Sequence, residues 1–324
     1  MIRKNKKIII VAGDPNSINS EIIYKSWKKL NKNVRQNLFI IGNYELLKRQ
    51  LKILNYHVKI KVIKNFNDFF SSDVLNVIDV DLKFSNPFKV TKKEASKYIL
   101  DSLDLAHNLS LKGNILGMIN CPISKNLLNK EKTGVTELLS EKCKIKKDTE
   151  VMMIKSDNFS VCPITTHIDL KDVSKNIKTK KIILKVKTIN IYFNKILKKK
   201  PRIGVLGLNP HNAELRNKSE EVLEIIPAIK TLKKLGLNIN GPLITDTIFV
   251  KDYRNFDVIV GMYHDQVLTT FKSIFKFNAI NLTLGLKYLR VSPDHGVALD
   301  IIKKNKASCK SLLECVKFIN KFGK

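Results

Sequence analysis

Strand-like and helix-like runs alternate from the start of the chain. Lys7 to Ala12 reads as strand, Ile18 to Leu30 as helix, Asn37 to Ile41 as strand, Glu45 to Leu54 as helix, and Val58 to Ile63 as strand. Such alternation restricts the chain to the α/β class with a largely parallel sheet, because a parallel pair needs a crossover and a helix supplies it. The pattern continues through Val74 to Val80 (strand), Thr91 to Asn108 (helix) and Asn114 to Ile119 (strand). In the Thr91 run, Ala95, Tyr98, Ile99, Leu103 and Ala106 share one helical face. Further helices are expected over Lys171 to Lys200 and Glu220 to Leu235, the second stopped by Gly236, and Gly241-Pro242-Leu243 reads as a turn.

Three later apolar runs each end in a histidine. Ser160 to Ile164 leads to His167, Arg202 to Leu208 leads to His211, and Phe256 to Val260 leads to His264. Open α/β sheets bind ligands beyond the carboxyl ends of their strands. Three imidazoles at neighbouring strand ends suit one divalent ion with positions left open, which is the pattern of a catalytic metal. Taken singly, each histidine is better read as a hydrogen-bonded loop residue; the reading rests on the set. Asp246 reads equally as a surface N-cap or as a carboxylate for proton transfer or ligand orientation, and Asp265, beside His264, is the other candidate for those roles.

Charge and cysteine content narrow the remaining classes. The 59 basic and 29 acidic residues give a net charge of +30, which invites a nucleic-acid partner. However, the lysines are spread over the whole chain and aromatics are only 7%, so basic and stacking residues do not interleave as strand binders need. The five cysteines are scattered, with no C-x-x-C pair, and suggest neither a disulfide framework nor a thiolate zinc site. A reducing cytoplasm is the expected compartment. No run reaches the roughly 18 apolar residues of a membrane helix, and the apolar run after the basic start is too short for a signal peptide. G-x-G-x-x-G after a strand, the Walker P-loop and the G-x-S-x-G elbow are all missing.

Several motifs together resemble the 4-hydroxythreonine-4-phosphate dehydrogenase family: Gly13-Asp14-Pro15, Thr133-Gly134-Val135-Thr136-Glu137, Thr166-His167, Gly207-Leu208-Asn209-Pro210-His211, Gly241-Pro242 with Asp246-Thr247, Tyr263-His264-Asp265-Gln266, Asn281-Leu282-Thr283-Leu284-Gly285 and Asp294-His295-Gly296. The resemblance implies a two-domain α/β/α fold of the isocitrate and isopropylmalate dehydrogenase type. Approximate boundaries are 1–130 plus 290–324 for the first domain and 131–289 for the second. It also implies a homodimer with active sites at the subunit interface. His167, His211 and His264 would hold one divalent ion (zinc, magnesium or cobalt), and Thr136, Lys272, Asn281 and Arg290 would contact a phosphorylated substrate.

The implied reaction is oxidation of 4-phosphohydroxy-L-threonine with NAD or NADP, followed by decarboxylation, in pyridoxal phosphate biosynthesis. Three positions depart from the family pattern. Val135 stands where the family has histidine, Asn212 to Arg216 replace a glycine-rich loop, and Gly13 to Glu21 keep only part of a glycine-rich motif. Val135 motivates a second reading, a dehydrogenase of a four-carbon sugar-acid phosphate. The charge and the altered loops motivate a third, a decayed site that binds nucleic acid or another anion without turnover.

Overall fold

The computed structural model describes residues 7–64, 70–128, 134–157, 159–250, 252–276 and 278–323. The chain divides into two compact units, residues 1–142 with 287–324, and residues 143–286. The first boundary read from the sequence, 130/131, lies outside the described residues. The structure crosses from unit to unit at 142/143 and 286/287, so Thr136 and Arg290 belong to the same unit.

In the first unit the chain runs β1 (Lys7–Val11), α1 (Asn19–Lys29), α2 (Lys32–Arg35), β2 (Leu38–Gly42), α3 (Tyr44–Ile53), β3 (Lys59–Val62), β4 (Val74–Asp79), α4 (Lys92–Leu111), β5 (Ile115–Asn120) and α5 (Val135–Lys142). The strand order is β3-β4-β2-β1-β5, followed by β12 (Arg290–Pro293), which returns after the second unit. Every pairing in this series is parallel. Ile8 to Val11 and Leu38 to Gly42 are buried without alternation, as strands covered on both faces must be. Helix α4 packs on β1, β2 and β5, and the last helix, α11 (Lys310–Phe322), packs on β1, β5, β12 and α1.

The second unit contains β6 (Val151–Ser156), β7 (Phe159–Pro163), α6 (Val173–Asn176), α7 (Thr179–Lys195), β8 (Ile203–Leu206), α8 (Ile226–Lys234), β9 (Ile239–Leu243), α9 (Thr245–Ile248), β10 (Val258–Gly261), α10 (His264–Phe275) and β11 (Ile280–Leu284). Its order is β11-β6-β7-β10-β8-β9. The β11-β6 and β6-β7 pairs are antiparallel, and the three pairs from β7 to β9 are parallel. The α/β class expected from the alternation is what both units have.

Three expectations need correction. The long helix over Lys171 to Lys200 is broken: Ile177 is extended and α7 starts at Thr179. Glu224 fixes that start from elsewhere in the chain, taking the Thr179 N–H at 2.6 Å and its hydroxyl at 2.8 Å. The helix expected from Glu220 opens as a π-turn, Glu221–Ile225, before α8. The wider turn lies directly ahead of Pro227, which has no N–H for a regular helical bond. Thirdly, Gly241-Pro242-Leu243 is the end of a strand, β9, rather than a turn. Strand β9 is the outermost of its unit, where proline's missing donor costs no ladder bond.

Candidate functional site

Strands β7, β10 and β8 are neighbours in register, Ser160 with Val258 and Val258 with Ile203. His167, His264 and His211 therefore all follow the carboxyl ends of adjacent parallel strands. The tails of β7 and β10 stay tied beyond the sheet. The Ile164 N–H donates to Gly261 O at 2.8 Å, and Thr165 donates to Met262 O through its N–H at 3.1 Å and its hydroxyl at 2.7 Å. This holds the His167 and His264 ring centres 5.9 Å apart at 42°. Two imidazoles sharing one tetrahedral ion at roughly 2.0–2.1 Å have ring centres about 5 Å apart, so the pair fits two ligands of one ion after a small adjustment. His264 Nδ1 lies 2.8 Å from Asp265 Oδ1. A carboxylate in that position orients the ring and leaves Nε2 outward, the usual support for a metal-binding histidine.

His211 does not complete a trio. Among the described residues no group of three or more histidine, cysteine or carboxylate side chains is arranged to hold a metal ion. His211 begins a run of five non-glycine residues, His211 to Leu215, with φ between 48° and 57°. Left-handed backbone is where glycine has no Cβ penalty, and this is the loop in which the sequence replaces the expected glycines. The side chains thus stand on a backbone suited to glycine. Asn212 pins the run by donating to Pro242 O at 3.1 Å. Gly207 faces it with no room for a Cβ, which would strike the Asn212 amide oxygen.

Two residues to which the sequence reading gave no role organise these loops. Gln266, 8% exposed, accepts the Met262 N–H at 2.6 Å and donates to Gly207 O at 2.7 Å and to the Thr245 hydroxyl at 3.0 Å. It joins the tail of β10 to the tail of β8 and to α9, which carries Asp246 on an exposed turn. Gly261 leaves space for this amide, since a Cβ there would lie 2.9 Å from Gln266 Oε1. Glu221, fully buried, takes the N–H groups of Leu208 and Asn209, each at 2.8 Å, and so supports the chain leading into His211. Burial pushes its carboxyl upward, but the hydrogen bonds from Asn209 and Leu208 outweigh this and hold it below its ordinary value. A buried glutamate two residues after a serine gave no sequence signal distinguishing it from a helix start.

Of the expected phosphate contacts, Lys272 lies exposed on α10 and Asn281 half-buried on β11, its Oδ1 shielded from solvent with no hydrogen-bond partner. The other two meet in the first unit. Arg290 on β12, 3% exposed, donates from Nε to Asn120 Oδ1 at 2.7 Å and from Nη1 to Thr136 Oγ1 at 3.3 Å. Burial lowers its guanidinium to about 10, which leaves it charged at neutral pH. Thr136 occupies the first turn of α5, where the Gly134 N–H is taken by Glu137 at 3.0 Å. That is half of a capping box set on Gly134; Thr133, before it, lies outside the described residues. A buried guanidinium, a hydroxyl and a helix N-terminus together suit an anion.

The sequence model described as "Pyridoxal phosphate biosynthetic protein PdxA" matches residues 34–319. The chain is 39% identical over 319 residues to a 4-hydroxythreonine-4-phosphate dehydrogenase of Sulfurihydrogenibium sp., covering 96% of each. It is 29% identical over 323 residues to a D-threonate 4-phosphate dehydrogenase of Salmonella typhimurium, covering 97% of this chain and 98% of that one. Among solved structures, a 4-hydroxythreonine-4-phosphate dehydrogenase from Klebsiella pneumoniae superimposes with a TM-score of 0.85 at 27% identity, over 98% of this chain and all of that one. With a family model matching residues 34–319 and a relative 39% identical over 96% of each chain, the chain belongs to the PdxA family of pyridoxal phosphate biosynthetic proteins, a family of oxidoreductases.

Proposed function

We propose that the chain oxidises 4-phosphohydroxy-L-threonine at its C3 hydroxyl, passing hydride to NAD or NADP. The product is 2-amino-3-oxo-4-phosphooxybutanoate, a β-keto acid that loses carbon dioxide to give 3-amino-2-oxopropyl phosphate for pyridoxal phosphate synthesis. The observation that carries the reading is the His167–His264 pair at adjacent parallel strand ends, with Asp265 holding one ring. His167 and His264 are assigned to one divalent ion, zinc, magnesium or cobalt, and His211, at the next strand end, to the same ion although its side chain is not gathered with theirs here. Such an ion supplies Lewis acidity at the hydroxyl being oxidised.

The chain's own groups do the rest. Arg290, Thr136, Lys272 and Asn281 grip the phosphate, with Arg290 as a fork and Lys272 as a point charge. Asp265 keeps His264 Nε2 free for the ion, and Asp246 accepts the hydroxyl proton. A homodimer with interface active sites accords with the apolar side chains exposed in the second unit, among them Leu170 at 72%, Leu215 at 55% and Leu223 at 57%. Among the described residues no helix is long and apolar enough to cross a membrane, and a cytoplasmic location follows from the pathway.

Metal content by mass spectrometry, paired with substrate-dependent NADH formation in wild type and in His211→Ala and His264→Ala, tests this. One ion per chain, lost with activity in both variants, is the expected result. Undiminished metal content in His264→Ala refutes the metal assignment independently of turnover. A second reading, D-threonate 4-phosphate as substrate, is favoured by the 29% identical relative of that name; Val135 at N1 of α5, directly before Thr136, weakens the phosphate hold for either substrate. An apolar side chain there offers a phosphate no donor, and a hydrogen bond to a charged group is worth about 1.5–3 kcal/mol. Higher kcat/KM on D-threonate 4-phosphate than on 4-phosphohydroxy-L-threonine would establish it.

A further inference from the structure

Away from those residues, the first unit has a concave surface where α1, α2, α3 and the outermost strand β3 come together. Its cavity of about 710 Å³ has the size of a small-molecule site. Lys28, Arg35, Lys48, Lys52 and Lys59 line it, and Asp73 is the one carboxylate among the lining residues. Five of twelve lining residues are Lys or Arg, against 59 of 324 in the chain, so the concentration is local and not a reflection of overall composition.

The cations are also available. Lys28, Lys52 and Lys59 have no carboxylate within ion-pair distance among the described residues, and Lys48 has only an exposed contact to Glu45 at 3.7 Å. Arg35 is fixed in the wall: it lies over the Trp27 ring at 4.4 Å and donates to Trp27 O at 2.9 Å and Lys28 O at 2.5 Å. Lysines on an edge strand guard against strand pairing, and this accounts for Lys59. It does not account for cations arriving from three helices. Like charges around a hollow repel one another, and the hollow focuses their field, so an anion bound there is favoured.

We propose that this cavity binds a small polyanion with two or more linked phosphates, whether inorganic polyphosphate or the phosphate chain of a nucleoside di- or triphosphate. The five cations exceed what a monophosphate can neutralise. Trp27, 5% exposed beneath Arg35, is the chain's one tryptophan, so its fluorescence reports this site and no other.

The test titrates the full chain with inorganic triphosphate and with ATP at matched ionic strength, following Trp27 fluorescence, with calorimetry for stoichiometry. A saturable change at one ligand per chain is expected, weakened at least about tenfold in Lys52→Glu/Lys59→Glu and retained in Lys272→Ala. Equal affinity for the two ligands assigns recognition to the phosphates alone, and tighter ATP binding assigns part of it to the nucleoside; both support the site. Dehydrogenase turnover of the double variant should equal that of wild type. No saturable response up to about 10 mM, where even a millimolar site is mostly filled, overturns the proposal, as does an unchanged response in the double variant. Tighter binding of a short RNA than of triphosphate, with several chains per strand, also overturns it and assigns the surface to nucleic acid.

Discussion

Replacing Gln266 by leucine tests how the strand-end loops are held. Leucine keeps most of the buried volume but removes three hydrogen bonds, to the Met262 N–H, the Gly207 carbonyl and the Thr245 hydroxyl. The Met262 amide belongs to a fully buried residue, and an N–H stranded in such a place costs about 1–3 kcal/mol. The carbonyl and the hydroxyl add roughly 0.5–1 kcal/mol together, since each has other ways of being satisfied. The expected loss is therefore about 1.5–4 kcal/mol, read as a lower urea midpoint with an unchanged slope. Gln266→Glu keeps the acceptor for Met262 but sets a carboxylate oxygen against the Gly207 carbonyl. It should be destabilised at neutral pH and recover in acid, when the protonated oxygen can donate. A cost below about 0.5 kcal/mol for Gln266→Leu, no more than an ordinary surface substitution, would refute the assigned linkage.

Other outcomes follow from the same geometry. Glu214, exposed with φ 48°, should gain about 0.5–1 kcal/mol on replacement by glycine, because relief of a left-handed residue, about 1–2 kcal/mol, exceeds glycine's unfolded-state entropy; a lower melting temperature would contradict the loop's conformation. Arg290→Lys loses the two-pronged hold on Asn120 and Thr136, and the KM for phosphorylated substrate should rise at least about tenfold with a smaller change in kcat. Asp257 is buried, which pushes its carboxyl up, yet Lys199 at 2.7 Å and the Arg202 N–H at 2.8 Å more than offset this and hold it below 3.8. Its contribution is complete above pH 3.8 and disappears as pH falls through the lower folded value. Asp257→Asn should therefore be less stable at neutral pH and lose less further stability in acid, measured by urea midpoints across that range.

What was legible in the sequence was what local pattern determines. Strands β1, β2, β4, β5, β7, β8 and β10 and the ends of α1, α3 and α4 fall within a few residues of the apolar patterns that predicted them. What was not legible depends on partners remote in the chain. The start of α7 is set by Glu224, 45 residues away, and β9 tolerates Pro242 because it is an edge, a property of the sheet and not of the segment. The same division holds at the site. Strand ends announced the histidines, but the roles of Gln266, which ties the loop of His264 to the tail of β8, and of Glu221, which supports the chain leading into His211, have no local signature because both bond to backbone at the tail of β8. The departure from glycine at Asn212 to Leu215 was visible, whereas the left-handed path those residues follow needed the structure.

The pair of hydrogen bonds from Thr165 to Met262 O has a kinetic consequence for the proposed ion. Two donors wait at a spacing set by main chain, so capture needs little ordering and should proceed at a rate governed by encounter. The third donor sits on a separate, conformationally costly loop, whose closure would govern escape. Changes near Asn212 should therefore alter how long an ion stays while leaving the speed of its arrival nearly constant.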